Sequence, residues 1–309
     1  MAFWNLKSDG VTQSLLSCFQ NCERKAYYRY KLGLVNPEST LALDFGNSMH
    51  YAIENYLLGD TPKVALDKVE KELLTRNDTF NNNEISVEEL FAQLEPVFRG
   101  WVEYWQMRDS KKYKWLDVEK EFNVPSPVNG ISFRGKVDGV YELPKENSIG
   151  ILETKTMGQI NDDLIYKLSF DRQLMLYCYA INQEYLRPVT QCTYNIIRRP
   201  LLRRGKTETL DTFYNRISED VSKRPEHYFA QYIISIKQDD IDKYIKNYKP
   251  VFMAIRKFAN KPVKKEEAYV QNTNECVKTY GSCEYIGKCS GVIDLKPLAI
   301  RDTVFNELK

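Results

Sequence analysis

Two carboxylates and a lysine on one predicted hairpin are the residues of this chain best placed to do chemistry. The stretch from Phe133 to Thr156 reads F-R-G-K-V-D-G-V-Y-E-L, then P-K-E-N-S, then I-G-I-L-E-T-K-T. Both arms have the alternating, β-branched character of strands, and the Pro/Asn/Ser-bearing middle reads as a turn. Folded symmetrically about Lys145–Glu146, the hairpin sets Asp138 opposite Glu153. Directly opposed residues on one face have Cβ atoms about 5 Å apart, where like charges repel. Such a pair is costly unless a hard cation sits between its members. Lys155, two residues beyond Glu153, shares that face. The combination suits phosphodiester hydrolysis: a divalent metal polarises the phosphate and acidifies a water, while an ammonium stabilises charge that builds up in the transition state. A solvated hairpin face of mixed charge is the bland alternative, and the hairpin alone does not choose.

Composition narrows the classes. A chain of 309 residues with 43% hydrophobic and 28% charged residues can bury a real core. No run of about 18 apolar residues suggests a membrane span, and M-A-F-W-N-L-K-S-D-G lacks the plan of a signal peptide. The expectation is an intracellular, cytoplasmic protein. Net charge is only +2, so nucleic-acid affinity must come from a local basic surface. In a reducing compartment the seven cysteines argue for metal binding or simple burial rather than disulfides.

The hairpin needs elements around it. A helix is expected from Thr12, capped by Thr12 or Ser14 and running through L-L-S-C-F-Q-N-C-E-R-K-A-Y-Y-R-Y to Gly33, with Cys18 and Cys22 on one face. A second helix starts at Gly46 with Asn47 or Ser48 and stops at Gly59, with His50 and Glu54 on one face. A lone histidine is a packed or surface residue in many proteins, yet neutral imidazole is also a common metal ligand. Residues 61–112 read as helical throughout, broken by the linker N-D-T-F-N-N-N, and form an insertion beside the site. Strands begin at about Trp115, turn at P-S-P-V-N-G and enter the hairpin. After it, D-R-Q-L-M-L-Y-C-Y-A-I-N-Q-E-Y is a helix with Gln173 and Tyr177 on one face, and Q-C-T-Y-N-I-I-R-R is a strand. The order helix, three strands, helix, strand gives an α/β core over 115–198 with a mixed sheet, since a helical connection favours a parallel crossover.

That last strand runs into a basic cluster, Arg198, Arg199, Arg203, Arg204 and Lys206. It serves either as a phosphate contact or as a solvated loop. Helices follow at about 208–223 and 238–260, with an extended stretch between them in which His227 is structural. Near the end, Cys276, Cys283 and Cys289 lie among glycines, as in a metal-binding knuckle. Three thiolates leave one position open on a four-ligand centre, which Cys22 or Cys18 fills if the chain ends meet.

With these residues in view, the chain resembles the PD-(D/E)XK nuclease superfamily in its RecB-like branch, and is similar to CRISPR-associated iron–sulfur exonucleases and related phage enzymes. The match rests on G-N-S-M-H (His50), G-K-V-D-G (Asp138), E-T-K (Glu153 to Lys155) and Q-L-M-L-Y (Gln173 to Tyr177), in the family's order and inside a split cysteine set. The resemblance implies a restriction-endonuclease-like core within a single nuclease domain, 1–309. Segment 270–292 would close onto the N-terminal helix. His50, Asp138 and Glu153, with the Thr154 carbonyl, would hold Mg²⁺ or Mn²⁺. Lys155 would act on the attacking water and the phosphorus, Gln173 and Tyr177 would line the DNA groove and orient the site, and Glu54 would support His50. Cys22, Cys276, Cys283 and Cys289 would hold a 4Fe–4S cluster, Cys22 rather than Cys18 because C-E-R-K-A-Y-Y-R-Y is the family's usual sequel. Two departures stand out: the gap from Cys276 to Cys283 is longer than usual, and no proline precedes Asp138.

The expected function is a metal-dependent DNA nuclease, an exonuclease acting on ends or single strands in replication, recombination or repair, with a helicase or recombination protein as partner. Two alternatives stay open: a catalytically silent DNA-binding scaffold of a recombination complex, and a nuclease whose thiolates hold Zn²⁺. Oligomeric state, cleavage polarity and strand preference are not legible.

Overall fold

The computed structural model describes residues 2–75, 86–107, 113–143, 147–160, 166–168, 170–278, 281–291 and 298–308. Its helices are α1 (Gln13–Asn21), α2 (Leu41–Leu57), α3 (Pro62–Thr75), α4 (Val87–Trp105), α5 (Arg172–Tyr185), α6 (Leu210–Lys223) and α7 (Gln238–Asn260), with several single turns besides. Strands β1 (Lys114–Pro125), β2 (Ser132–Leu143), β3 (Ser148–Met157), β4 (Val189–Arg198) and β5 (Phe229–Ser235) form one sheet in that spatial order. β3 and β4 run parallel, and the other neighbours are antiparallel. The parallel step needs a crossover, which α5 supplies. The expected mixed α/β core is therefore present, extended by β5 from the stretch read as extended.

Period-two alternation sends neighbouring residues of each strand to opposite faces. Ile151 enters a core shared with α1, α5 and α7, and Leu152 enters one shared with α2, α3, α4 and α6. A buried polar chain ties the second layer to the sheet. The Trp101 Nε1–H of α4 donates to Asn195 Oδ1 at 3.0 Å, and Asn195 Nδ2 donates to Thr154 Oγ1 at 3.3 Å. Residues 61–112 thus supply helices that cover one sheet face, although the linker N-D-T-F-N-N-N lies outside the described residues. No described helix is long and apolar enough to cross a membrane.

Two helix boundaries differ from expectation. Thr12 caps α1 as predicted, its Oγ1 accepting the Leu15 N–H at 3.3 Å, but α1 stops at Asn21 and Cys22 is extended. The C-terminal segment causes the break. Val270 O accepts the Arg24 N–H at 3.0 Å, and Asn272 Nδ2 donates to Asn21 O at 2.8 Å. Cys18 and Cys22 therefore do not share a continuous helix. The chain resumes as a short helix, Glu23–Ala26, and a π-turn, Tyr27–Lys31, before Gly33 at φ +70°. The second helix starts early, at Leu41 rather than Gly46, because Thr40 accepts the Leu43 N–H at 3.3 Å and caps it.

Gly46 lies mid-helix for a packing reason: a Cβ there would sit 2.8 Å from Thr156 Oγ1 on β3. α2 can approach β3 closely only without that carbon, and the approach sets where His50, one turn on, arrives. Gly46→Leu is expected to lower stability by about 1–3 kcal/mol through overpacking, measured by urea unfolding. It should also shift the His50 imidazole resonances.

Candidate active site

The β2–β3 ladder runs from Leu143↔Ser148 to Gly139↔Leu152, the register expected for a hairpin centred on Lys145–Glu146, which themselves lie outside the described residues. It ends one step short of Asp138 and Glu153. The two acids thus stand where the strands part. In place of a ladder bond, Asp138 Oδ2 accepts the backbone N–H of Thr154. His50 on α2 brings Nδ1 to 3.6 Å from Asp138 Oδ1.

A third carboxylate joins them. Ligand atoms of His50, Glu119 and Asp138 all lie within 4.8 Å of one another, the group of this kind among the described residues. Glu119 sits on β1 between the paired residues Val118↔Gly139 and Lys120↔Val137, facing Asp138 with φ +50°. A left-handed conformation is unusual for a residue with a side chain, and such outliers gather at functional sites. Lys136 Nζ pairs with Glu119 at 2.7 Å. Sequence reasoning read D-V-E-K-E only as strand. The signal was the β1–β2 register, which a turn of uncertain length, P-S-P-V-N-G, left unfixed.

Glu153 and Lys155 form the adjoining half. The Lys155 ammonium contacts the Glu153 carboxylate and donates to Gln173 Oε1 at 2.8 Å. Gln173 Nε2 donates to the Tyr177 hydroxyl at 3.0 Å, and the Gln173 N–H is capped by Asp171 at 2.8 Å. α5 therefore holds the lysine, as the shared Gln173/Tyr177 face suggested. Tyr177 is 8% exposed and packs edge-on against Phe122, which places it in the core behind Gln173. Thr154 contributes its N–H to Asp138 and its hydroxyl to Asn195.

The remaining predicted residues fall in two other places. The Arg198 guanidinium meets His227 Nδ1 at 3.2 Å, whereas Arg199, Arg203 and Arg204 line a cavity beyond the end of β4. Cys22, Cys276, Cys283 and Cys289 line one pocket, so the chain ends do meet. The Asn272 N–H points to Cys22 Sγ at 3.4 Å, and Gln271 Nε2 lies 2.9 Å from Cys289 Sγ. Burial pushes the Cys18 thiol up to about 12, which leaves it protonated beside the set, and Cys178 and Cys192 are core residues.

Burial opposes the charge on every member of the active site, and local partners decide the outcome. Burial, aided by Asp138, pushes Glu119 up to about 7, against Lys136. Burial raises Glu153 to about 7 as well, against Lys155. Asp138 stays below the usual carboxylate range despite burial, because His50, the Thr154 N–H and Lys155 outweigh it. His50 and Lys155 are both raised, burial being overcome by Asp138 and Glu153 respectively.

Acids with raised pKa bind more protons folded than unfolded, so metal-free stability falls as pH rises from the unfolded carboxylate range through about 7. The raised His50 acts in the same direction. Without divalent cations, the protein is expected to lose roughly 1–3 kcal/mol between pH 5.5 and 8. Glu153→Gln should flatten that slope in thermal melts.

Comparison with known proteins follows the same lines. A family profile for the PD-(D/E)XK nuclease superfamily matches residues 11–290. No curated protein matches the chain in sequence. Among solved structures, a candidate exonuclease from Eubacterium rectale aligns at 16% identity over 94% of this chain and 91% of its own, with a TM-score of 0.52. A phage-related exonuclease from Haemophilus somnus 129PT aligns at 14% identity over 72% of this chain and 93% of its own, with a TM-score of 0.30. The first likeness shows a shared fold, and the second adds no weight. The profile spans both the acid–lysine hairpin and all four pocket cysteines, and the chain belongs to the PD-(D/E)XK nuclease superfamily.

Proposed function

We propose that this chain is a divalent-metal-dependent DNA nuclease of the RecB-like kind that works from strand ends. The observation that carries the reading is the joining of His50, Glu119 and Asp138, within 4.8 Å of one another, to the Glu153–Lys155–Gln173 chain. The donor set is hard oxygen with one imidazole, which fits Mg²⁺ or Mn²⁺. His50, Asp138 and Glu153 would hold the ion, with the Thr154 carbonyl, and Glu119 joins them from β1. Such an ion supplies Lewis-acid polarisation and an acidified water.

The chain's own residues do the rest. Lys155 is held as an ammonium by Glu153, so it serves as a fixed positive charge for the developing pentavalent phosphorus rather than as a base. Gln173 keeps Nζ from rotating away, and Tyr177 keeps Gln173 in that orientation. The Thr154 N–H fixes one Asp138 oxygen, leaving the other toward His50. Lys155→Ala is expected to reduce Mn²⁺-dependent degradation of linear DNA by at least about 10²-fold, in protein that still folds, as circular dichroism checks. Undiminished cleavage would overturn the site assignment.

The four pocket cysteines support a 4Fe–4S cluster. An N–H donor reaches Cys22 and an amide reaches Cys289, as the hydrogen-bond donors around a ligating sulfur do. A tetrahedral zinc needs its sulfurs about 3.8 Å apart from one another. A 4Fe–4S cluster takes a wider thiolate spread, and Cys22, Cys276, Cys283 and Cys289 line one pocket. Anaerobically purified protein is expected to be brown, with iron and sulfide bound. Cys22→Ser should bleach it and expose the C-terminal segment to protease, whereas Cys178→Ala should do neither. Colourless protein carrying stoichiometric zinc would favour Zn²⁺ as the staple.

A further inference from the structure

The basic cluster that follows β4 lines a cavity. It measures about 520 Å³ and lies between α4, the start of α2 and the loop after β4. Pockets of this size hold small organic ligands of a few hundred daltons. Arg199, Arg203 and Arg204 line it, opposed by one carboxylate, Glu89, which pairs with Arg204. The loop is pinned rather than free. Arg216 donates to Arg203 O at 2.9 Å and to Glu208 at 2.8 Å, and Glu208 accepts the Gly205 N–H at 2.8 Å.

Three further observations give the ligand's character. Arg203 is exposed, and the lining holds three arginines to one glutamate, which suits phosphate. Leu201 and Leu202 add apolar wall on which a base or sugar can rest. Gln93 of α4 also lines the cavity, is 3% exposed, and has an Oε1 with no hydrogen-bond partner. A buried carbonyl oxygen left unpaired is costly, and a base amino group or sugar hydroxyl would satisfy it.

Position links the cavity to the hairpin. The Arg199 N–H donates to Met157 O at 2.8 Å, continuing the β3–β4 pairing past Met157↔Arg198. Met157 lies two residues beyond Lys155 along β3, so the cavity follows the catalytic strand. Leu41, on another wall, opens the helix that carries His50.

We propose that this cavity seats the terminal nucleotide of the strand being degraded, with its phosphate on the arginines and its nucleoside against Gln93 and Leu201. The proposal rests on the nuclease reading and adds an end-recognition subsite to it. An end held there fixes how far in the scissile phosphate lies.

Deoxyadenosine monophosphate, titrated calorimetrically into the chelator-treated full-length protein, is expected to bind at one site. Arg203→Ala and Arg203→Glu, both at an exposed position, should weaken it by about tenfold or more. Gln93→Met should weaken the nucleotide but not inorganic phosphate. With Mn²⁺ and linear DNA, Arg203→Glu should raise KM while leaving kcat within about twofold, as loss of uniform binding does. Absent nucleotide binding, binding indifferent to Arg203, or an unchanged KM would each overturn the subsite. Wild-type degradation of DNA separates the two claims: cleavage with no Arg203-dependent binding sinks the subsite alone, and binding without cleavage sinks the nuclease reading.

Discussion

Three carboxylates lie on adjacent strands where β2 and β3 part, and the cost of burying them governs the layout around them. An unpaired buried charge costs several kcal/mol, and removing one member of a buried pair costs about 3–5 kcal/mol. Here each acid has its own counterion from a different place in the chain: Asp138 has His50 from α2, Glu119 has Lys136 from β2, and Glu153 has Lys155 two residues on. Pairing is incomplete compensation, since two of the acids remain raised to about 7. A hard cation would offset that burial cost and the lesser repulsion from Asp138, so binding one and stabilising the fold are the same event.

The fork explains why both helical layers can contribute. A residue within a paired strand faces one layer only, but at the end of the ladder the sheet no longer separates them. His50 arrives from the layer containing α2, and Gln173 from the layer containing α5. Each approach depends on a local device: the missing Cβ of Gly46 against Thr156, and the Asp171 cap that starts α5 beside Lys155. A similar economy joins the chain ends. Asn272 bonds to both Asn21 and Cys22, bringing Cys22, just past the first helix, into the pocket of three cysteines more than two hundred positions away.

Much of this was legible beforehand. The hairpin register followed from strand alternation and a short turn between its arms, because a slip of one residue would turn every side chain to the wrong face. Gln173 and Tyr177 lie one helical turn apart, so their shared face needed only helix geometry. The cysteine set could be assembled only on the premise that the ends meet, and residues alone left Cys18 and Cys22 equivalent. Cys22 was separated from Cys18 by the break at Asn21, imposed by Val270 and Asn272.

What the sequence determined by itself was the inventory and the local pairing: which acids, which lysine, and their order on a hairpin whose period is set by backbone geometry. Tertiary structure decided the rest. Glu119 became part of the acid group through the β1–β2 register and a left-handed backbone, neither of which is written in residue types. The arginines ceased to be a simple run: Arg198 turned to His227, while Arg199, Arg203 and Arg204 closed a cavity with Gln93 from α4. Local patterns report the conformational preferences of neighbours in the chain. Which side chains from distant segments share a space is fixed only when the two cores pack against the sheet.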